Sequence, residues 1–130
     1  MSLLKHLVIT VCACIATQCA VLAQESPATK IIGQWREYDP SNNLVEFAKD
    51  GTWKMFLKKG EIPNLRVIDG TWVLANDGTL TVMPHFLGKK VEPDVSKLSF
   101  EGDELVLTQG KSGKTSHRRH KGPLPDEYQW

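Results

Sequence analysis

The chain has 130 residues, of which 41% are hydrophobic and 24% charged, with a formal net charge of +1. That length fits a single domain. A charge balance so near zero argues against a general nucleic-acid binder, which needs a basic surface. All three cysteines (Cys12, Cys14 and Cys19) fall in the first 23 residues, so the rest of the chain has no disulfide, thiol nucleophile or thiolate metal ligand to offer.

Residues 1–23 read as a secretory signal peptide. Lys5 and His6 precede an apolar run from Leu7 to Ala16, and Val21-Leu22-Ala23 supplies the small-residue ending that a signal peptidase requires. Lys5, Thr10, Thr17 and Gln18 interrupt the stretch, so it makes a poor membrane span, and no stable span is expected after cleavage. The mature protein is thus expected to be secreted or periplasmic. With Lys5 gone, its basic residues equal its 15 acidic ones. Residues 24–30 read as a linker.

From residue 31 the period is two. Val45 and Phe47 alternate with Glu46 and Ala48; Trp53, Met55 and Leu57 with Lys54 and Phe56; Leu80 and Val82 with Thr79 and Thr81. Leu98 and Phe100, then Leu105 and Leu107, do the same, and Ile68, Trp72 and Leu74 share a face. This is the pattern of half-buried strands. Eight are expected, at roughly 31–38, 44–49, 52–58, 65–75, 79–83, 95–100, 104–109 and 115–120, and no amphipathic helix of ordinary length. The fold class is all-β, an antiparallel up-and-down meander that removes its edges by closing into a small eight-stranded barrel. A half-open sheet or sandwich is the alternative.

The tetrapeptide Asp-Gly-Thr-Trp occurs at 50–53 and again at 69–72, with a near-copy, Asp-Gly-Thr-Leu, at 77–80. Asx-Gly pairs supply the positive φ angles of tight hairpins, which explains Asp50-Gly51 and Asp77-Gly78 as turns. Gly70 lies inside an apolar run and signals a bulge or sharp bend. The two tetrapeptides are therefore not expected to be equivalent.

The ordered pieces Gly33-x-Trp35, Phe47-x-x-Asp50-Gly51, Gly70-x-Trp72 and Leu105-x-Leu107 before a basic last strand resemble the small bacterial secreted lipocalin-like (calycin-type) domains over residues 31–120. The chain is shorter than true lipocalins. The resemblance implies that one arginine of the last strand, Arg118 or Arg119, covers Trp35 and seals the barrel base, with Gly33 as part of that closure. Cation–π geometry favours such a pair, and alternation allows only one of the two arginines inside.

In a meander, connections alternate between two ends. The tight turns at 50–51, 76–78 and 101–103 share one end; the longer connections at 41–43, 59–64, 84–94 and 110–114 share the other, the expected mouth. Lys58, Lys59, Lys89 and Lys90 lie on these longer loops or their shoulders, as do Lys111 and Lys114. Such a rim over an interior lined by Phe47, Trp53, Met55, Trp72 and Phe100 would suit a small apolar or anionic amphipathic ligand. The same lysines can equally serve solubility, and the same aromatics can simply fill the barrel.

No catalytic motif is present: no Gly-x-Ser-x-Gly, no His-Glu-x-x-His, no phosphate loop. The protein is expected not to be an enzyme and to use no cofactor. His85 is placed in the mouth loop. His117 and His120, three apart on a strand, point to opposite faces and make no metal site together. The tail, residues 121–130, has an extended Pro-Leu-Pro start and carries Tyr128 and Trp130. It either packs back on the barrel or docks a protein partner.

Overall fold

The computed structural model describes residues 25–38, 43–86, 89–110 and 113–130, apart from the side chain of Lys90. The expected signal peptide, residues 1–23, lies outside the described residues. Within the segment read as a linker, Pro27–Lys30 forms one helical turn (α1), and the Ser26 hydroxyl accepts from the Thr29 N–H. Residues 31–130 make up a compact unit of their own.

That unit is antiparallel sheet. Its strands are β1 (Gly33–Glu37), β2 (Leu44–Phe47), β3 (Thr52–Phe56), β4 (Val67–Leu74), β5 (Thr79–Phe86), β6 (Lys89–Lys90), β7 (Asp94–Glu101), β8 (Glu104–Gln109) and β9 (Gly113–His120). β1 pairs with β2 and with β9, and β4 pairs with β5, so eight strands close into an up-and-down barrel. β6 stands outside the ring and, among the described residues, pairs only with the end of β5. The architecture is consistent with a lipocalin-like fold.

Two differences from the sequence expectation concern β5. The connection expected at 84–94 is shorter, because β5 runs on through Pro84, His85 and Phe86 and then folds back as β6. Proline normally ends a strand reading, but β7 pairs with β5 only as far as Val82. Pro84 thus sits in an edge-like stretch where a missing N–H is tolerated.

The repeated turns resolve into one local device. The segment Ala-x-Asp-Gly-Thr occurs at 48–52 and at 75–79. In each, the first alanine N–H bonds the threonine carbonyl, and the aspartate carboxylate accepts from the threonine N–H at 2.9 Å. Gly51 and Gly78 have φ near +90°, at 89° and 88°, which strongly favours glycine. Their carbonyls accept from Trp72 and Leu98 N–H, so each turn is also tied to the strand beyond it. These bonds favour the charged carboxylates and hold both acids below the usual range, Asp77 at about 2.

Asp69-Gly70 is different. Gly70 is mid-strand, opposite Trp53 on one side and Pro84 on the other. A Cβ on it would lie 2.2 Å from the Met83 carbonyl oxygen. It is a glycine of close backbone approach to β5 beside a large indole, and instead of a bulge both pairings run through it in unbroken register.

Strand alternation sorts the residues. Trp35, Val45, Met55 and Ile68 form one in-register interior row. The buried core cluster joins Ile31, Trp35, Val45, Phe47, Trp53, Leu80, Val82 and Leu105. Leu44 breaks this order. It stands on the outer face, in register with Arg36 and Phe56, and outside that cluster, yet it is 0% exposed. The tail accounts for it. After β9 the chain crosses the outer surface of β1–β3, where Asp126–Tyr128 forms a 3-10 turn. Glu127 pairs with Arg36, and Tyr128 is buried. The Trp130 indole N–H donates to the Leu57 carbonyl at 3.2 Å, and Arg66 lies 5.3 Å from its ring.

Candidate functional site

The barrel interior is the candidate site, and its two ends differ. At the tight-turn end, Trp35 is 1% exposed, and its indole N–H donates to the Ile31 carbonyl at 2.8 Å. Arg119, its Cα partner on β9, lies 4.3 Å over the ring and donates to the Ile32 carbonyl at 2.8 Å. Gly33 has φ +130°, and a Cβ there would come within 2.6 Å of the guanidinium, so both conformation and space call for glycine. Arg118 points outward, over the Tyr38 ring at 4.5 Å and 3.9 Å from Glu104.

Above this closure lies an aromatic floor. Trp35 meets Phe100 at 6.1 Å, and Phe47 meets Trp72 edge-on at 5.7 Å. Phe47 and Trp53 are core residues, whereas Met55, Trp72 and Phe100 are only partly buried against them. Trp72 also spends its indole N–H on the Ala48 carbonyl of the β2–β3 turn. Of the five interior residues expected to line a site, the aromatic ones make the floor. Met55 stands toward the mouth with Val45 and Ile68.

The rim lysines occupy the mouth end without acting as one set. Lys59 and Lys89 are exposed. The Lys58 ammonium sits 6.0 Å from the Tyr128 ring, engaged with the tail. The side chain of Lys90 and all of Lys111 lie outside the described residues. His85 belongs to β5, paired with Asp69 and Lys90. His117 faces inward, while His120 faces outward with its Nε2 3.0 Å from the Pro123 carbonyl. Among the described residues no group of three His, Cys, Asp or Glu could hold a metal ion.

The sequence reading missed a polar wall. Along β1, β9, β8 and β7 the inward-facing positions nearer the mouth are Glu37, His117, Gln109, Ser96 and Asp94, of which Gln109 and Asp94 are exposed. His117 is 5% exposed and Ser96 is also buried; Gln109 donates to Asp94. Burial pushes the His117 imidazole below its ordinary value, although the Glu37 carboxylate and the Leu105 backbone pull the other way. Asp94 stands at the rim with its carboxyl raised by partial loss of water. A signal for Glu37 was present, since it follows the interior Trp35 by two. For His117 there was none without knowing that Arg119 is the inward arginine.

Comparison with known proteins returns no significant match to a family model, a curated protein or a solved structure. Among the described residues, no helix is long and apolar enough to cross a membrane.

Proposed function

We propose that this chain is an exported, non-catalytic barrel of the lipocalin-like, calycin type that takes a small apolar or amphipathic ligand into its open half. The observation that carries the reading is the asymmetry of the interior. One end is sealed by Trp35 and Arg119 with hydrogen bonds to the chain before β1. The other offers a partly buried apolar wall, Met55 and Ile68, facing polar side chains under a lysine-bearing rim. Binding pockets combine such apolar lining with a few placed polar groups.

A second reading is favoured by one feature of the outer surface. Val73, Thr81 and Val95 lie in register across β4, β5 and β7, and the two valines are 65% and 53% exposed. That uncharged row would serve contact with another protein. The tail is a weaker candidate for such contact, because the barrel already occupies Tyr128 and Trp130.

Mass spectrometry of small molecules co-purifying with the native protein, followed by titration of a fluorescent fatty acid, tests the first reading. A fourfold Lys58, Lys59, Lys89, Lys90→Glu variant should fold normally and lose anionic amphiphiles if the rim selects them. Absence of any bound molecule together with no titratable binding would move the assignment to the interaction surface. N-terminal sequencing of exported material, expected to begin at Gln24, tests the export step.

A further inference from the structure

The connection between β3 and β4, residues 57–66, stands at the mouth, and the strands hold it only at its base. There the Leu57 N–H donates to the Arg66 carbonyl at 2.8 Å. Among the described residues, the hydrogen bonds of residues 58–65 all stay inside the loop. The Glu61 N–H donates to the Lys58 carbonyl, the Leu65 N–H to the Ile62 carbonyl, and the Lys58 N–H to the Glu61 carboxylate. A surface loop bonded mainly to itself belongs to the parts of a fold that open first.

The tail meets both feet of this loop. The Trp130 indole N–H donates to the Leu57 carbonyl at 3.2 Å, and Arg66 lies 5.3 Å from the same ring. The Lys58 ammonium is 6.0 Å from the buried Tyr128 ring. One ring therefore bridges the two ends of the loop base, and a second takes the residue beside it. Among the described residues, no strand pairing joins the tail to the barrel. Side chains anchor it: Glu127 pairs with Arg36, whose guanidinium is 5.8 Å from the Tyr128 ring. The tail also folds on itself, with the Tyr128 N–H on the Pro125 carbonyl and the Gln129 N–H on the Asp126 carbonyl. Exposed Lys121, Gly122 and Pro123 connect it to β9, and Gly122 has φ +94° with open space around it. It is a small preformed unit on a glycine pivot.

We infer that the tail is a strap on the β3–β4 loop, so that the outer face of β1–β3 and this side of the mouth open and close as one unit. When Trp130 leaves, the Leu57 carbonyl loses its donor and Arg66 its ring, and the loop keeps only its base bond and its internal bonds. Ion pairs and cation–ring contacts near the surface are individually weak, which suits a contact that is made and released. The coupling is reciprocal: whatever fixes the loop also holds the tail more firmly. The strap acts whether or not the interior holds a ligand.

The test is amide hydrogen exchange on the full mature chain, read residue by residue by NMR. In Trp130→Ala the Leu57, Glu61 and Leu65 amides should exchange at least about tenfold faster, while the turn amides of Gly51 and Gly78 at the opposite end stay within about twofold. Trp130→Phe, which keeps a ring over Arg66 but lacks the indole N–H, should fall between the two. Unchanged exchange in the loop, or equal acceleration at both ends of the barrel, would overturn the inference, the second by showing a general loss of stability. The unmodified chain supplies a measurement that does not depend on any variant folding. Under increasing sub-denaturing urea, the Leu57 amide should share one opening free energy and one urea slope with the Tyr128 and Gln129 amides. Distinct slopes for loop base and tail would overturn the strap.

Discussion

Arg118 and Arg119 are adjacent, and each stacks over an aromatic ring at nearly the same distance, 4.5 Å and 4.3 Å. Distance therefore does not separate them; solvent does. The Arg118 side chain is 72% exposed, and its carboxylate neighbour Glu104 is 3.9 Å away. Exposed pairs of this kind contribute about 0.2–1 kcal/mol. Arg119 covers an indole that is itself buried, and its guanidinium donates to the Ile32 carbonyl. A desolvated cation–π contact is worth about 2 kcal/mol, and a hydrogen bond from a charged group about 1.5–3 kcal/mol. The two share one side chain and overlap, so Arg119→Ala should cost about 3 kcal/mol, and Arg118→Ala less than about 1 kcal/mol. In urea melts followed by tryptophan fluorescence, that difference is a midpoint shift of about 1–3 M for Arg119→Ala. In a double-mutant cycle, Arg119→Ala and Trp35→Phe should be strongly non-additive. Equal losses for the two arginines, or additivity of Arg119 with Trp35, would refute the argument that burial gives this stack its weight.

Tyr128→Ala should lose about 2–4 kcal/mol, as for a buried aromatic, and raise binding of a hydrophobic dye by uncovering Leu44; unchanged melts and dye binding would show that the tail does not cover it. Gly70→Ala should cost about 1–3 kcal/mol or more by forcing the Met83 carbonyl away, whereas Gly60→Ala, with open space around the site but φ at +85°, should show only the smaller cost of that backbone angle. The His117 imidazole is held below its unfolded value near 6.5. Its unfolded form therefore binds protons first, and stability should fall as pH drops below about 6.5. His117→Gln should flatten that part of the pH profile in thermal melts, with Glu37 and Arg119 left as the charged neighbours.

How much of this was legible in the sequence depended on whether contrast existed between the two faces of a strand. In β2, β3, β5 and β8 apolar residues alternate with polar ones, and period two placed Phe47, Trp53, Val82 and Leu105 inside. In β9 every residue from Lys114 to His120 is polar or charged, so alternation has nothing to sort. Only the pairing of Arg119 with Trp35 fixes that strand's orientation, and with it the inward turn of His117. The polar wall was hidden for the same reason, since its members sit on strands near the mouth where the interior is no longer apolar. Leu44 and Val106 show the converse. Both are apolar, outward-facing and buried. Leu44 lies under the tail. Val106 shares a row with Ser116, over which Tyr38 reaches from the end of β1 to Glu104 on β8. Local periodicity carries no information about a cover supplied by distant chain. The Pro84 extension of β5 was missed because proline's tolerance depends on where the neighbouring strand stops, a tertiary fact.

The seam between β1 and β9 has a kinetic consequence. It joins residues 87 apart, from Ile32 to Arg119, so it is the pairing with the largest loop-closure penalty and the one expected to form last. Until it forms, β1 and β9 each present a row of unsatisfied backbone groups, and the indole of Trp35 has no cation above it. Such edges are templates for pairing with another copy. A fragment ending at residue 110 lacks β9, leaves β1 and β8 as permanent edges, and should aggregate. In the full-length chain, the tail that follows β9 can latch across β1–β3 only after the seam has closed, making the final ten residues a lock on a ring that has already been completed.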